Sequence, residues 1–145
     1  MRLVVDTSVL VGELLRRSGR ERLGDRLELF LPERMWNEAR RELPRRIGAF
    51  ARRRGLDQRN RDDLVAACVE AVEANVVVLD EAIYSALEDE GRARSLRDPA
   101  GWALVASALA LSADIWTHDN DFLGTGVATW TTETLQRWLK RHPSD

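Results

Sequence analysis

The chain has 145 residues, of which 44% are hydrophobic and 32% are charged, a composition typical of a folded globular protein and not of a disordered one. No apolar run approaches the roughly 20 residues needed to cross a bilayer, and the charged N-terminal stretch is too short for a signal peptide, so we expect a cytoplasmic protein without membrane association. One cysteine and two histidines exclude an internal disulfide and a thiolate zinc cluster, and they argue against a histidine-rich metal site.

The net charge of −2 is unevenly distributed along the chain. Residues 1–61 carry sixteen arginines against nine acidic side chains, whereas residues 62–145 carry six basic and fifteen acidic side chains. Such a split is found in proteins with one surface for phosphates and another for a basic partner, and it is also produced by solvated helix faces. The basic half becomes informative only if an anion-processing site lies beside it.

Short apolar runs alternate with helical patterns in chain order. Five runs predict strands: LVV at 3–5, ELFL at 28–31, NVVVL at 75–79, DIWT at 114–117 and VAT at 127–129. Apolar residues recur at helical spacing within 35–47, 64–72, 83–87 (Ile83, Ala86 and Leu87), 102–109 and 135–139, and the polar segment 52–63 predicts a turn between two helices at Gly55. The alternation predicts a single α/β domain over 1–145, with a mostly parallel sheet covered by helices on both faces.

Acidic residues follow two of the predicted strands. Asp6 comes directly after the first strand, and Asp119 and Asp121 come after the fourth. Ligands of open α/β sheets bind beyond the carboxyl ends of the strands, so three carboxylates converge if these two strands are neighbours. Asp6 could cap the following helix, but Thr7 or Ser8 could cap it equally well, which leaves Asp6 without an obvious structural role.

Further acids lie on or near the predicted helices. Glu38 borders the apolar stripe of its helix and Glu42 lies one turn further along, where a solvated or salt-bridged glutamate is the common explanation. Asp98 precedes Pro99 in a standard helix-start signal, and Asp80 after the third strand is expected to be a plain helix cap. Several acids with few histidines and no cysteine pair point to hard oxygen ligands and to Mg²⁺ or Mn²⁺. Such an ion can lower the pKa of a bound water and clamp the reacting oxygens of a phosphodiester.

Four segments resemble the motifs of a known family. They are VVDTSVL, PERMWNEARREL, RDPAGWALVASALAL and IWTHDNDFLGTG, and in this order they are similar to the four motifs of the PIN domain, the fold of VapC-type toxin ribonucleases. The resemblance spans nearly the whole chain, and it implies a three-layer α/β/α sandwich with a central, mostly parallel five-stranded sheet. It also implies Mg²⁺- or Mn²⁺-dependent cleavage of RNA, a homodimer and a neutralising antitoxin. Among the residues of this chain it assigns the metal and catalytic roles to Asp6, Glu38 and Asp119, with Asp121 as an accessory carboxylate.

The third motif departs from the family pattern. The resemblance implies an acid at the position that Gly101 holds here, where the chain reads Asp98, Pro99, Ala100, Gly101 and Trp102. Asp98 remains, and it could face the same side one turn lower and act as a substitute catalytic ligand. On this basis Gly101→Asp is expected to restore the family's acid and to strengthen metal binding.

Two classes of function remain open. One is a metal-dependent endoribonuclease that acts as the toxin of a toxin–antitoxin pair, and the other is a catalytically weak or inactive PIN scaffold that binds RNA or a protein partner. The departure at Gly101 favours the second class. A receiver domain and a haloacid-dehalogenase-type phosphatase fit less well, because Lys140 is the sole lysine and Ser8 stands where the phosphatase needs a second aspartate. The candidate RNA-binding residues lie on the helix that carries Glu38: Arg40, Arg41, Arg45 and Arg46.

Overall fold

The computed structural model describes residues 1–16 and 26–143. The strands are β1 (Arg2–Val5), β2 (Glu28–Pro32), β3 (Val76–Leu79), β4 (Asp114–Trp116) and β5 (Thr129–Trp130). The helices are α1 (Thr7–Leu14), α2 (Glu33–Arg54), α3 (Gln58–Asn75), α4 (Glu81–Tyr84), α5 (Glu88–Arg94), α6 (Trp102–Leu111) and α7 (Thr132–Arg141). Short 3₁₀ turns cover Ser85–Leu87, Pro99–Gly101 and Asn120–Phe122.

The described strands form one parallel sheet in the order β3-β2-β1-β4-β5. The central strand β1 pairs with β2 on one side, where Leu3 lies opposite Leu29, and with β4 on the other, where Val5 lies opposite Trp116. Parallel neighbours end at the same edge of a sheet, so the residues that follow β1, β2 and β4 share one edge. The expected five-stranded, mostly parallel sheet is confirmed.

Alternation along the strands sends side chains to two different helical layers. Leu3 and Val5 of β1 pack into a cluster with residues of α1, α2, α3 and α7. Val4, between them, points the other way and packs with Leu104 and Val105 of α6. Because successive strand residues face opposite sides, a strand that is apolar throughout requires helices on both faces. The three-layer sandwich follows from this pattern.

Two predicted elements differ from the structure. The last strand is Thr129–Trp130 and not 127–129, because its pairing with β4 begins where Ile115 meets Thr129. The stripe of Ile83, Ala86 and Leu87 is also wrong: Ile83 is exposed, and the neighbouring Tyr84 is fully buried against Trp102. A short helix followed by a 3₁₀ turn does not keep the helical spacing that the stripe assumed.

The remaining boundaries agree with the local signals. The turn between α2 and α3 lies at Gly55, whose φ of 67° suits glycine because it has no β-carbon. Asp80 caps α4 by accepting a hydrogen bond from the backbone N–H of Ala82 at 2.9 Å, so its expected role is confirmed. In residues 1–16 and 26–143, no helix is long and apolar enough to span a bilayer.

Candidate active site

Asp6 and Asp119 lie together because β1 and β4 are neighbours. The backbone N–H of Asp6 donates to the carbonyl of Trp116 at 2.9 Å, which continues the pairing of the strands one residue past β1. The buried hydroxyl of Thr117 donates to Oδ2 of Asp6 at 2.7 Å and accepts from the backbone N–H of Asp119 at 2.9 Å. One side chain therefore holds both acids at the carboxyl edge of the sheet.

Asp6 also has a structural role that the sequence did not reveal. It is the N-cap of α1, and its Oδ1 accepts a long hydrogen bond of 3.5 Å from the backbone N–H of Ser8. The expectation that Asp6 has no structural role is wrong, because its backbone is extended at the point where the helix begins, as a cap requires. Capping uses Oδ1 and Thr117 uses Oδ2, so both carboxylate oxygens are oriented by the protein.

The environment of Asp6 disfavours its charge. Burial raises the pKa of Asp6 above that of an ordinary aspartate, hydrogen bonds from Thr117 and Ser8 oppose this shift, and the negative charge of Asp119 adds to it. A carboxylate that is partly buried beside a second carboxylate is stabilised by a cation. The electrostatics of this pair therefore favour a positive ligand.

Two further acids reach the same cleft from other elements. Glu38 lies in the second turn of α2, which starts directly after β2, and Asp98 precedes the 3₁₀ turn that leads into α6. Together with Asp6 and Asp119 they line a cleft of about 390 Å³. The other described residues that line it are Thr7, Ser8, Met35, Ala39, Glu42, Arg46, Ala100, Gly101 and Phe122.

The candidate arginines are placed differently relative to this cleft. Arg46 lines it and forms an ion pair with Glu42, with Nη2 and Oε2 3.1 Å apart. Arg40 and Arg41 line a separate surface depression with Asn37. Arg45 is exposed and, among the described residues, is not part of either lining. Part of the basic excess of the first half falls at 17–25, outside the described residues.

Asp121 stands apart from the four acids of the cleft. It is exposed and lies outside the lining formed by the described residues, and its backbone N–H donates to Oδ1 of Asp119 at 2.9 Å. This contact makes Asp119 the cap of the turn Asn120–Phe122. Asp121 therefore acts on Asp119 through its backbone in this structure.

The donor atoms of the cleft suit a hard cation. They are carboxylate and hydroxyl oxygens, which Mg²⁺ and Mn²⁺ prefer, and the arginine beside them is already paired with Glu42. Within the described parts of the chain, no three His, Cys, Asp or Glu side chains already form a group that could hold a metal ion. Closing these oxygens around a cation would therefore require side-chain rotation, for which the exposed Glu38 has the most freedom.

Gly101 lies where Asp98 and Phe122 meet. A β-carbon built on Gly101 would lie 2.8 Å from Cζ and 2.9 Å from Cε1 of Phe122, and 3.4 Å from Oδ2 of Asp98. The first two distances are shorter than real contacts of a β-carbon, and Phe122 is buried. The expectation that Gly101→Asp simply restores a carboxylate therefore changes, because the phenyl ring already fills the space that any side chain at 101 would enter.

Comparison with known proteins identifies the family. A family model described as PIN domain matches residues 4–140, so the chain belongs to the PIN domain family. PIN domains are generally nucleases, and this is the class of protein that the fold and the acidic cleft define.

A solved structure supports the same fold. The structure of FitAB bound to an IR36 DNA fragment is 18% identical in sequence to this chain, with a TM-score of 0.56, and the alignment covers 90% of this chain and 94% of that chain. At this level of identity the likeness establishes the fold alone. No curated protein gives a significant match to the sequence.

Two residues of the site, Thr117 and Phe122, were not predicted from the sequence. Thr117 was visible only as the last residue of a predicted strand, although a hydroxyl between two strand-end acids is a signal that could have indicated it. Phe122 had no such signal, because its contact with Gly101 joins segments about twenty residues apart. Tertiary packing alone reveals that contact.

Proposed function

We propose that this protein is a metal-dependent endoribonuclease and the toxin of a toxin–antitoxin pair. The observation that carries the proposal is the convergence of Asp6, Glu38, Asp98 and Asp119 on one cleft from four different elements. In this proposal the four carboxylates bind Mg²⁺ or Mn²⁺. The bound ion would polarise the scissile phosphate and lower the pKa of an attacking water.

The protein residues have separate tasks in this proposal. Thr117 holds Asp6 through its carboxylate and Asp119 through its backbone N–H. Arg46 binds a phosphate of the RNA beside the acids, in exchange for its pairing with Glu42. Arg40, Arg41 and Arg45 lie further from the acids, so their proposed role is to attract the rest of the RNA backbone.

RNA cleavage tests the nuclease proposal. A mixed RNA substrate should be cut by the wild-type protein with Mg²⁺ or Mn²⁺ and left intact with EDTA, and Asp6→Asn and Asp119→Asn should remove the activity. Asp80→Asn is the matched control, since Asp80 also follows a strand of the sheet but only caps α4. Asparagine caps a helix about as well as aspartate, so this variant should cut like the wild type.

The competing proposal is a PIN scaffold that binds RNA or a protein without cutting, and Gly101 in place of the family's acid favours it. The same assay separates the two. If RNA is bound but stays intact with either ion, and Asp6→Asn leaves binding unchanged, the scaffold explains the protein and the nuclease proposal fails.

The partner proposals need separate measurements. A small antitoxin encoded next to this chain should form a stable complex with it and suppress RNA cleavage when the two are mixed at equal concentration.

A homodimer should give twice the mass of 16.5 kDa by light scattering. A monomeric mass across micromolar concentrations would contradict the dimer without affecting the nuclease proposal.

A further inference from the structure

The contact between Phe122 and Gly101 lies next to two acids of the cleft, Asp98 and Asp119. We propose that Phe122 is a second positioning residue for Asp119, besides Thr117, and that the space beside Gly101 is the niche that receives its ring. Glycine would then stand at 101 in place of the expected acid because the ring of Phe122 packs there, and the site would not be defective for that reason. This inference rests on the proposed function, because Asp119 matters only if the cleft binds a metal ion.

Phe122 is tied to Asp119 by a single turn. Asp119 caps the 3₁₀ turn Asn120–Phe122, and the backbone N–H of Phe122 reaches back toward the carbonyl of Asp119 at 3.4 Å. The ring of Phe122 is buried in the cluster that contains Val4 and Leu104, so the turn is anchored to the core at its far end. A displacement of the Phe122 ring would therefore move the turn and shift the carboxylate of Asp119.

The niche at Gly101 is set by packing and not by backbone conformation. Gly101 has φ of −79° and ψ of 1°, a combination with negative φ that residues other than glycine also adopt in type I turns. What requires glycine is the ring of Phe122, whose Cζ and Cε1 would both lie closer than 3.0 Å to a β-carbon. A side chain at 101 would displace the ring, and the displacement would pass to Asp119 through the turn.

The same niche also affects Asp98. Its Oδ2 would lie 3.4 Å from a β-carbon at 101, so the carboxylate of Asp98 occupies the side of the niche that the ring leaves free. Among the described residues, the Asp98 side chain makes no cap hydrogen bond to the turn Pro99–Gly101. Asp98 is therefore available to the cleft, and glycine at 101 lets it approach the position where the family's acid would project.

A pair of size-compensating variants tests the proposal. Gly101→Ala adds a β-carbon, whereas Phe122→Leu removes the Cζ and Cε1 atoms that the β-carbon would meet. Each single variant should weaken Mn²⁺ binding about tenfold, the size of effect seen when partners of metal ligands are changed. The double variant should recover most of the affinity, because the added methyl group fills the space that the shortened side chain leaves.

Two controls separate positioning from a general loss of stability. Phe30→Leu changes another phenylalanine that packs against the same core layer but lies outside the cleft lining formed by the described residues, so it should lower the melting temperature and leave Mn²⁺ affinity unchanged. In an Asp119→Asn background, Phe122→Leu should cause no further loss of Mn²⁺ affinity. A further loss there would show that Phe122 does not act through Asp119 and would overturn the proposal.

Hydrogen exchange in the metal-free protein tests the positioning of Asp119 independently of the proposed function. The backbone N–H of Asp121 donates to Oδ1 of Asp119, so its hydrogen exchange reports on that carboxylate in the apo protein. Exchange should be faster in each single variant and slow again in the double variant. If wild type binds no Mn²⁺, the proposed function fails, and the exchange data still decide the positioning. Unchanged exchange in both single variants, or single variants that bind Mn²⁺ as tightly as wild type, would overturn it.

Discussion

At the scale of single residues, the hydroxyl of Thr117 links two acids of the cleft, Asp6 and Asp119. It is buried, it donates to Asp6 and it accepts from the backbone of Asp119. Both partners lie at the ends of neighbouring strands, so this hydroxyl joins the two sides of the site. Its loss would leave an acceptor and a donor without their partner.

Thr117→Val removes the hydroxyl and keeps the shape of the side chain. We expect it to lower the free energy of unfolding by roughly 1–3 kcal/mol, the range for a buried polar group that loses its partner. Urea unfolding measures this change. Thr117→Ser keeps the hydroxyl and should be much closer to wild type, and equal losses in the two variants would assign the effect to the methyl group.

Arg46 and Arg45 are adjacent in sequence but differ in surroundings. Only Arg46 lines the cleft, where it pairs with Glu42. Arg46→Ala should therefore weaken RNA binding and reduce the slope of log affinity against log salt by about 0.7, the value for one phosphate contact on a single strand. Arg45→Ala is the matched control and should change the slope less. Equal slopes for both variants would remove Arg46 from the phosphate site.

A metal-binding role of Asp98 can be tested separately from a helix-capping role. Its side chain makes no cap hydrogen bond with the described residues, so Asp98→Asn should leave the melting temperature unchanged while it lowers Mn²⁺ affinity and RNA cleavage. Calorimetric titration with Mn²⁺ measures the affinity. An unchanged affinity would show that the cleft holds its metal ion without Asp98.

At the scale of elements, close helix packing positions the segment that carries Asp98. Helix α5 contacts the start of α6 at Gly91, where a β-carbon would lie 2.7 Å from the backbone oxygen of Trp102 and 3.2 Å from the β-carbon of Ala106. Backbone cannot yield as a flexible side chain can, so this contact sets the distance between the two helices. The loop that joins them contains Asp98.

Gly91→Ala should force α5 and α6 apart. We expect a loss of roughly 1–3 kcal/mol of stability, as for other overpacked sites, measured by thermal unfolding. Gly48→Ala is the matched control: it also lies inside a helix, α2, and no described atom other than the adjacent residues and backbone of that helix lies within 4 Å of its added β-carbon. Gly48→Ala should be stabilising by about 0.5–1 kcal/mol, because glycine is the weaker helix former. Equal effects of the two substitutions would argue against close packing at Gly91.

At the scale of the whole molecule, we expect metal binding at the acidic cleft to be coupled to folding. Several carboxylates face one cleft, and burial together with Asp119 already disfavours the charge of Asp6. A ligand that binds only the folded state stabilises it by mass action. The carboxylates come from segments spread over most of the chain, so the ion would act on the fold as a whole.

Mn²⁺ should therefore raise the melting temperature of the wild-type protein. At a free concentration one hundred times the dissociation constant the stabilisation is about 2.7 kcal/mol, which corresponds to a shift of several degrees. Asp6→Asn should gain less from Mn²⁺, because the amide nitrogen that replaces one carboxylate oxygen cannot bind a cation. A melting temperature that does not respond to millimolar Mn²⁺ in either protein would refute metal binding.

Much of the architecture is determined by local patterns in the sequence. Apolar runs and helical spacing predicted the strands and the longer helices, because burial on one or both faces imposes a periodicity that is visible residue by residue. The exceptions are short elements: β5 lies at Thr129–Trp130, and Tyr84 is buried where Ile83 was expected to be. In such elements a single tertiary contact outweighs the local pattern.

The candidate site divides in the same way. The sequence indicated Asp6, Glu38, Asp98 and Asp119 as candidates, through acids that follow strands and through the resemblance to the PIN motifs. Only the tertiary structure decided that β1 lies between β2 and β4, and so that these acids share one cleft. It also decided that Arg46 enters the cleft, while Arg40 and Arg41 line a separate depression. Strand order and the burial of a ring against a glycine depend on contacts between distant segments, which no local pattern encodes.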